Sequence, residues 1–342
     1  MPAPLRLRLD GTALTDNWRT LATMSGPAAC GAAIKADGYG LGANEVVRRL
    51  AAVGCRDFFV ATWAEVVALT PSGMALSVLH GLRADDLPAA LSGVARPVLN
   101  TAAQVALWKA AGGVGCDVMV DTGMNRLGVS PDEIAAGLLD GLAIDTLMSH
   151  LACADEDVAM NAVQRVAFVA LAGKTGARRM SLANSAGIAL GSDYAFDLTR
   201  PGLALYGGIP RSEFAGRIRP VVTPEAQIIQ RRRVVAGDVV GYNATWSAPA
   251  ATEVAILNIG YADGYWRGFS NKGVARARGR ALPVIGRVSM DLTAVDVTAA
   301  PDLAEGDWVA LDYALPEASA VSGMSQYELL TGMGRRYDRI WS

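Results

Sequence analysis

Apolar and polar positions along the 342 residues follow two different rhythms. In roughly the first two thirds, short apolar runs recur at Ala28–Lys35, Phe58–Thr62, Leu76–Gly81, Arg96–Asn100, Cys116–Asp121, Ile144–His150, Arg179–Asn184 and Phe196–Arg200. Runs of this length suit strands buried on both faces. Helical spacing precedes and separates them, over Thr12–Ser25, Ala43–Val53, Trp63–Leu69, Ala84–Leu91, Ala102–Ala111, Pro131–Leu139, Glu156–Thr175 and Ser185–Leu190. Pro131 after Ser130 is a good helix start, because proline lacks the N–H that would go unpaired there. Eight strands with intervening helices match an N-terminal (β/α)8 TIM-like barrel over residues 10–218, although a doubly wound sheet fits the same alternation. No Gly-x-Gly-x-x-Gly turn follows the first strand, so nothing supports a dinucleotide site.

Near Arg219 the helical spacing stops. Short alternating runs follow at Glu225–Val235, Val239–Tyr242, Glu253–Ile259, Gly273–Ala277, Ala281–Val284, Leu292–Asp296 and Trp308–Ala310, punctuated by Gly279, Gly286 and Gly306. They predict a C-terminal all-β domain over 219–342, joined by an N-terminal strand over residues 1–9.

Charge changes the picture only by exclusion. Lysine and arginine total 31 against 33 acidic residues, a net charge of −2 that offers no general attraction to nucleic acid or to an anionic membrane. The longest apolar runs are too short to span a bilayer, and the N-terminus has no signal-peptide core. Cys30, Cys55, Cys116 and Cys153 are scattered, without metal-ligand or disulfide spacing, which fits a cytoplasmic protein. With only His80 and His150 besides, no metal site is expected.

The candidate chemistry gathers at strand ends. Lys35 closes the first run and is followed by Gly38, Gly40 and Gly42. Desolvation there lowers an amine's pKa and suits it to Schiff-base formation, against the plainer reading that Lys35 snorkels into water. Lys35, Asn100, Asp121, His150, Asn184 and Arg200 all end strands, and in a barrel those ends converge on one face. Arg126, on the loop after Asp121, either forks onto a carboxylate or phenolate or pairs with Asp121 as a clasp. Asn184-Ser185 and Arg200-Pro-Gly-Leu203 are either a phosphate cup or, for Asn184-Ser185, an ordinary helix cap. Tyr261 reads as a packing residue unless a histidine or arginine tunes it as a base. Ser185 lacks a strained nucleophile setting.

Six blocks taken together resemble the alanine racemases: Ala33–Gly40, Val120–Gly128, Ala183–Ala186, Arg200–Gly202 with Leu205–Gly207, Gly260–Gly264 and Gly286–Asp291. They occur in the family's order and span almost the whole chain. The resemblance implies an isomerase that interconverts L- and D-alanine by two-base α-proton transfer on pyridoxal 5'-phosphate, supplying D-alanine for the cell wall. Lys35 would carry the cofactor and act as one base. Tyr261, from the second subunit of a homodimer, would be the other, hydrogen-bonded by His150. Arg200 would face the pyridine nitrogen, which a guanidinium does not readily protonate. Arg126 would contact the cofactor's phenolic oxygen and the substrate carboxylate. Tyr39, Asn184, Ser185, Gly202, Leu203 and Tyr327 would bind the cofactor, chiefly its phosphate, and Met290 of the second subunit would line the substrate site.

Two positions depart from the family pattern. Met119 stands where many members carry a lysine, often carbamylated, so a bound anion or another acidic side chain is expected to orient Arg126. Ser181 stands where many have a histidine beside the pyridine-facing arginine. These departures keep open a broad-specificity racemase for serine or basic amino acids. More distant alternatives are a decarboxylase of the same fold and a non-catalytic pyridoxal-phosphate carrier, which the C-terminal domain argues against.

Overall fold

The computed structural model describes residues 3–69 and 74–342. The chain forms two compact units: Leu14–Arg219, and the N-terminal residues up to Ala13 together with Pro220–Ser342. Strand β1 (Leu5–Leu9) belongs to the second unit. Residues 1 and 2 of the expected N-terminal strand lie outside the described residues.

The first unit carries β2 (Ala29–Cys30), β3 (Ala32–Ala33), β4 (Asp57–Val60), β5 (Ala75–Val78), β6 (Arg96–Leu99), β7 (Gly115–Met119), β8 (Ala143–Met148), β9 (Arg179–Ser181) and β10 (Leu198–Thr199). Strands β3 to β9 form a parallel sheet in sequence order. The run expected over Ala28–Lys35 is divided into β2 and β3 at Gly31, where a side chain would lie 2.8 Å from the Asp57 carbonyl oxygen. Strand β10 pairs in parallel with β2. On its other side, Asp197 and Arg200 donate backbone N–H bonds to Met180 and Ala183. The TIM-like ring thus closes through its eighth run. Several of the intervening helices start where the sequence supplies caps: Thr62, Thr101 and Ser130 each accept the N–H three residues on, at Glu65, Gln104 and Glu133.

The second unit is an eight-stranded sheet that is antiparallel apart from one pair. Its other members are β11 (Val222–Val234), β12 (Thr252–Leu257), β13 (Val274–Ala277), β14 (Arg280–Ile285), β15 (Thr293–Asp296), β16 (Trp308–Leu311) and β17 (Asp338–Trp341). The long β11 pairs with β1 and β16 through its first half, then shifts register at Ile228/Gln230 and pairs with β12. Such a shift bends a strand and lets it serve two edges. Strand β17, parallel to β1, was not expected from the sequence. The run Val239–Tyr242 is not a strand: only Val239 pairs, with Ser247, and the backbone turns at Gly241 and Asn243, both at positive φ. Helices occur at Leu315–Ser322 and Gln326–Thr331, where alternation predicts none. Pro316 near the start of one and the Ser325–Glu328 capping box of the other are the local signals that carry them.

Charged residues near the N-terminal ends of the barrel strands tie the ring together. Asp117, fully buried, accepts from Ser77 Oγ at 2.6 Å, Thr146 N–H at 3.0 Å and Arg96 Nε at 3.3 Å. Arg179 Nη2 bridges Asp57 at 2.9 Å and Asp145 at 2.7 Å, so β9 is held to β4 and β8. Burial raises the Asp117 carboxyl's pKa, and the Arg96 charge opposes that rise. Removing one partner of such a pair strands the other in low dielectric. Arg96→Leu should therefore cost about 3–5 kcal/mol of stability, read as a lower urea midpoint with the spectrum of the remaining folded protein unchanged.

Candidate active site

At the opposite ends of the same strands lies the candidate chemistry. Ile34 N–H donates to the Phe59 carbonyl at 2.8 Å, fixing the strand that delivers Lys35. Ala36, Asp37, Gly38, Tyr39 and Gly40 then all have positive φ, between 54° and 85°, forming one left-handed turn. The Gly40 N–H closes it on the Ala36 carbonyl at 2.8 Å. A left-handed conformation costs about 1–2 kcal/mol for each non-glycine residue, so the surroundings must hold it. Asp37 does so by accepting the Ala43 N–H at 2.8 Å, and Glu65 by accepting the Ala36 N–H at 2.7 Å. The glycines of this stretch mark the turn, but its handedness was not legible from them.

Lys35 is partly buried. Burial lowers its pKa, the charges of Arg126 and Arg200 add to that, and Glu65 works against it. The Arg126 side chain is exposed and makes no ion pair among the described residues. Asp121 is a clasp of a different kind from the one expected: its carboxylate accepts the backbone N–H groups of Gly123 at 2.7 Å and Arg126 at 3.0 Å, not the guanidinium. These backbone bonds hold the Asp121 carboxyl below the usual range against its burial. Met119 is buried beneath, on β7.

His150 ends the run of β8. Burial first, then the charges of Arg200, Arg126 and Lys35, push its imidazole down to about 3. Its backbone is set by Gln164, a fully buried side chain of the helix Ala159–Val169. Gln164 Nε2 donates to the His150 carbonyl at 2.9 Å and to Thr122 Oγ1 at 3.3 Å, while Oε1 accepts the Ala152 N–H at 2.8 Å. Thr122 in turn pairs with Ser149 Oγ at 2.8 Å. One amide therefore joins the loops after β7 and β8. Sequence reasoning missed it, although a glutamine one turn from Asn161 and four residues before Phe168, all buried on one helix, is a polar residue where core is due.

Arg200 is buried, and its Nη2 donates to the Ser149 carbonyl at 2.6 Å. Its Nη1 donates to Ser181 Oγ, which itself donates to the Leu198 carbonyl. The serine at 181 thus holds the arginine directly. Burial lowers the Arg200 guanidinium to about 10, which leaves it charged.

Asn184 caps the helix Ser185–Ala189 by accepting the Gly187 N–H at 2.9 Å, so its oxygen serves the cap. Ser185 Oγ accepts the N–H groups of Gly202 at 2.9 Å and Ala204 at 3.2 Å and keeps its own proton to donate. A side chain at Gly202 would lie 2.2 Å from the Tyr39 hydroxyl oxygen; only glycine leaves that approach open. Leu203 follows in the same buried turn. Tyr39 stacks on Tyr206 with ring centroids 4.7 Å apart.

Tyr261, Met290 and Tyr327 lie in the other unit. Tyr261 and Met290 line an open cleft of about 410 Å³ with Tyr242, Arg267 and Arg287. Tyr261 N–H donates to Ser289 and Ala262 N–H to Met290, each at 3.0 Å. A Cβ at Gly260 would lie 2.3 Å from the Met290 carbonyl oxygen, so this glycine permits the two loops to meet. Buried Asp263 receives Arg336 through Nε at 2.6 Å and Nη2 at 2.8 Å, and Arg336 also reaches Asp291 at 2.7 Å. The Arg267 guanidinium lies 4.8 Å from the centre of the Tyr261 ring. Tyr327 is half-exposed on the helix Gln326–Thr331.

A parallel α/β barrel with a lysine at the end of its first run, in one chain with an antiparallel β unit, is the architecture of a two-domain barrel protein. Residues 9–210 match the model of the alanine racemase N-terminal domain, and residues 221–341 match that of its C-terminal domain. The chain belongs to the alanine racemase family. It is 42% identical to the alanine racemase of Acidiphilium cryptum, with 98% of each chain covered. It is 42% identical to a catabolic alanine racemase of Agrobacterium fabrum, covering 98% of this chain and 91% of that one. The crystal structure of alanine racemase from Bartonella henselae with covalently bound pyridoxal phosphate superposes with a TM-score of 0.90 at 34% identity over the whole of both chains. These matches favour neither the broad-specificity, the decarboxylase nor the carrier alternative.

A histidine held this far down stays neutral in the folded protein. Its contribution to stability is complete above the unfolded value near pH 6.5 and is lost as pH falls from there towards about 3. Nitrogen-resolved NMR should show the His150 imidazole neutral from about pH 8 to 5, whereas a titration near 6.5 would contradict the electrostatic account.

Proposed function

We propose that this chain interconverts L-alanine and D-alanine, with Lys35 and Tyr261 exchanging the α-proton from opposite faces of the substrate. The observation that carries the proposal is the placement of Lys35: a partly buried amine beside Arg126 and Arg200, at the mouth of a closed barrel. The cofactor is pyridoxal phosphate. The residues present fit it: Gly202 leaves a cradle against the Tyr39 hydroxyl that any side chain would fill, and Ser185 retains a free donor beside it. When bound, pyridoxal phosphate supplies a conjugated ring that spreads the negative charge left at the substrate's α-carbon.

The chain's own residues do the rest. Lys35 holds the cofactor and serves as proton acceptor on one face. Tyr39, Ser185, Gly202, Leu203 and Tyr327 bind the phosphate, with Asn184 shaping the cup as its cap. Arg200, fixed by Ser181 and the Ser149 carbonyl, presents to the ring nitrogen a guanidinium that does not readily give up a proton. Arg126, its backbone set by Asp121, is available to the substrate carboxylate and the phenolic oxygen. Neutral His150 accepts or donates a hydrogen bond to the opposing tyrosine. Tyr261 and Met290 act in the site of a second copy, so the working form is a homodimer. The cytoplasm is the compartment proposed, in keeping with the free thiols buried at Cys30, Cys55 and Cys116.

Chiral analysis of L-alanine, run beside L-serine and L-lysine with the cofactor-loaded protein, tests the reaction; alanine should approach an equal mixture fastest. Tyr261→Phe should lose at least about a hundredfold in turnover while the cofactor stays bound. Lys35→Ala should remove the visible absorption of the bound cofactor. Mixed dimers of the two variants should regain activity that neither has alone, because one site per dimer then holds both intact groups. Confirmed mixed dimers without recovery would refute the shared site.

A further inference from the structure

The carboxylate of Glu65 does more than cap its helix. Oε2 accepts the N–H groups of Ala61 at 2.6 Å and Thr62 at 3.2 Å, and the Thr62 hydroxyl oxygen in turn accepts the Glu65 N–H, completing a capping box. Oε1 is turned to another segment and accepts the Ala36 N–H at 2.7 Å. Ala36 is the first residue of the left-handed turn and the direct neighbour of Lys35. One side chain thus bridges the ends of two neighbouring barrel strands, and its second oxygen serves no purpose in the cap. Arg126 and Arg200 also act on Lys35, and both disfavour the ammonium, whereas Glu65 favours it.

We propose that Glu65 is a positioning residue for Lys35. Its carboxylate pins the strained turn that sets where the lysine emerges, and it supplies the negative charge that lets a desolvated amine still accept a proton. The two demands on this lysine oppose each other. It must be neutral to attack the cofactor's aldehyde, which burial and the arginines favour. It must also take a proton from carbon, which a nearby anion favours. Glu65 is placed to balance them. The inference rests on Lys35 being the cofactor-bearing base and adds the residue that tunes it.

Glu65→Gln separates this role from the cap, because glutamine also completes a capping box. It removes the charge and leaves a single oxygen for N–H groups on two segments. Full-length protein is stripped of cofactor with hydroxylamine and exposed again to pyridoxal phosphate over a range of pH. Covalent capture at Lys35 is followed by visible absorption and by the mass of the borohydride-fixed lysine. In Glu65→Gln the pH dependence of capture should shift to lower pH, since the amine loses the anion that favours its charged form. Turnover of alanine should fall roughly tenfold or more, beyond any loss of folded protein at the assay temperature. Glu65→Asp, which keeps the charge, should restore the pH dependence of capture but not full turnover, because its shorter arm does not span both segments. Wild-type capture and turnover in Glu65→Gln would overturn the proposal, as would losses in both variants that merely track unfolding. Lys35→Ala serves as the separate control: if it still captures the cofactor covalently, the assignment of Lys35 fails, whatever Glu65 does.

Discussion

Crowding of cations at one end of the barrel is the constraint on which the rest of the structure depends. Arg126 and Arg200 both act on Lys35, and burial, reinforced by all three charges, keeps His150 uncharged. Like charges this close, partly shielded from water, repel and are costly to desolvate. The arrangement persists because each group is fixed by hydrogen bonds and not by a direct ion pair among the described residues. Arg200 is held by a hydroxyl and a carbonyl, Arg126 by its own backbone, and Lys35 by a turn pinned from two sides. A pocket so built presents its positive potential to whatever enters, which suits a ligand bearing a phosphate and a substrate bearing a carboxylate.

Stability is supplied elsewhere in the same strands. Asp57, Arg96, Asp117, Asp145 and Arg179 pair near the strand starts, in a network that crosses from strand to strand. The two ends of one sheet therefore carry different electrostatic designs, direct ion pairs at one and, among the described residues, cations held by hydrogen bonds at the other. This is the division of a barrel into a stabilising and a reactive face. It also explains how left-handed backbone at Ala36, Asp37 and Tyr39 is tolerated, since the strands behind it are fixed independently of the turn.

The barrel was legible because its strands are largely buried and so appear as short apolar runs, most of them ending in a polar residue. Lys35, His150 and Arg200 were legible as such endings. What escaped were groups whose meaning lies in contacts between segments distant in sequence. Gln164 looks like any helical glutamine until its amide is found joining two loops, and Glu65 looks like a capping residue until its second oxygen is found on Ala36. The turn after Lys35 is rich in glycine, which licenses positive φ without requiring it at the alanine, aspartate and tyrosine that adopt it. In the C-terminal unit, alternation located the strands, but the two helices are announced only by Pro316 and by Ser325 with Glu328, signals of capping and not of periodicity.

The second unit shows the same preference for fixing a candidate side chain through its backbone. Tyr261 is held at its N–H by Ser289, its neighbour Ala262 by Met290, and the loop beneath by the Asp263–Arg336 pair. Inverting a carbon centre needs a proton acceptor on each side of a plane. Strand ends around one ring approach a bound ligand from one side only, so a barrel alone supplies one such group well and the second poorly. In the proposed reaction the second base therefore belongs on an independently rigid platform. A loop locked to a β-sheet meets that need better than an extension of the barrel, whose mobility would surrender the orientation on which proton transfer depends.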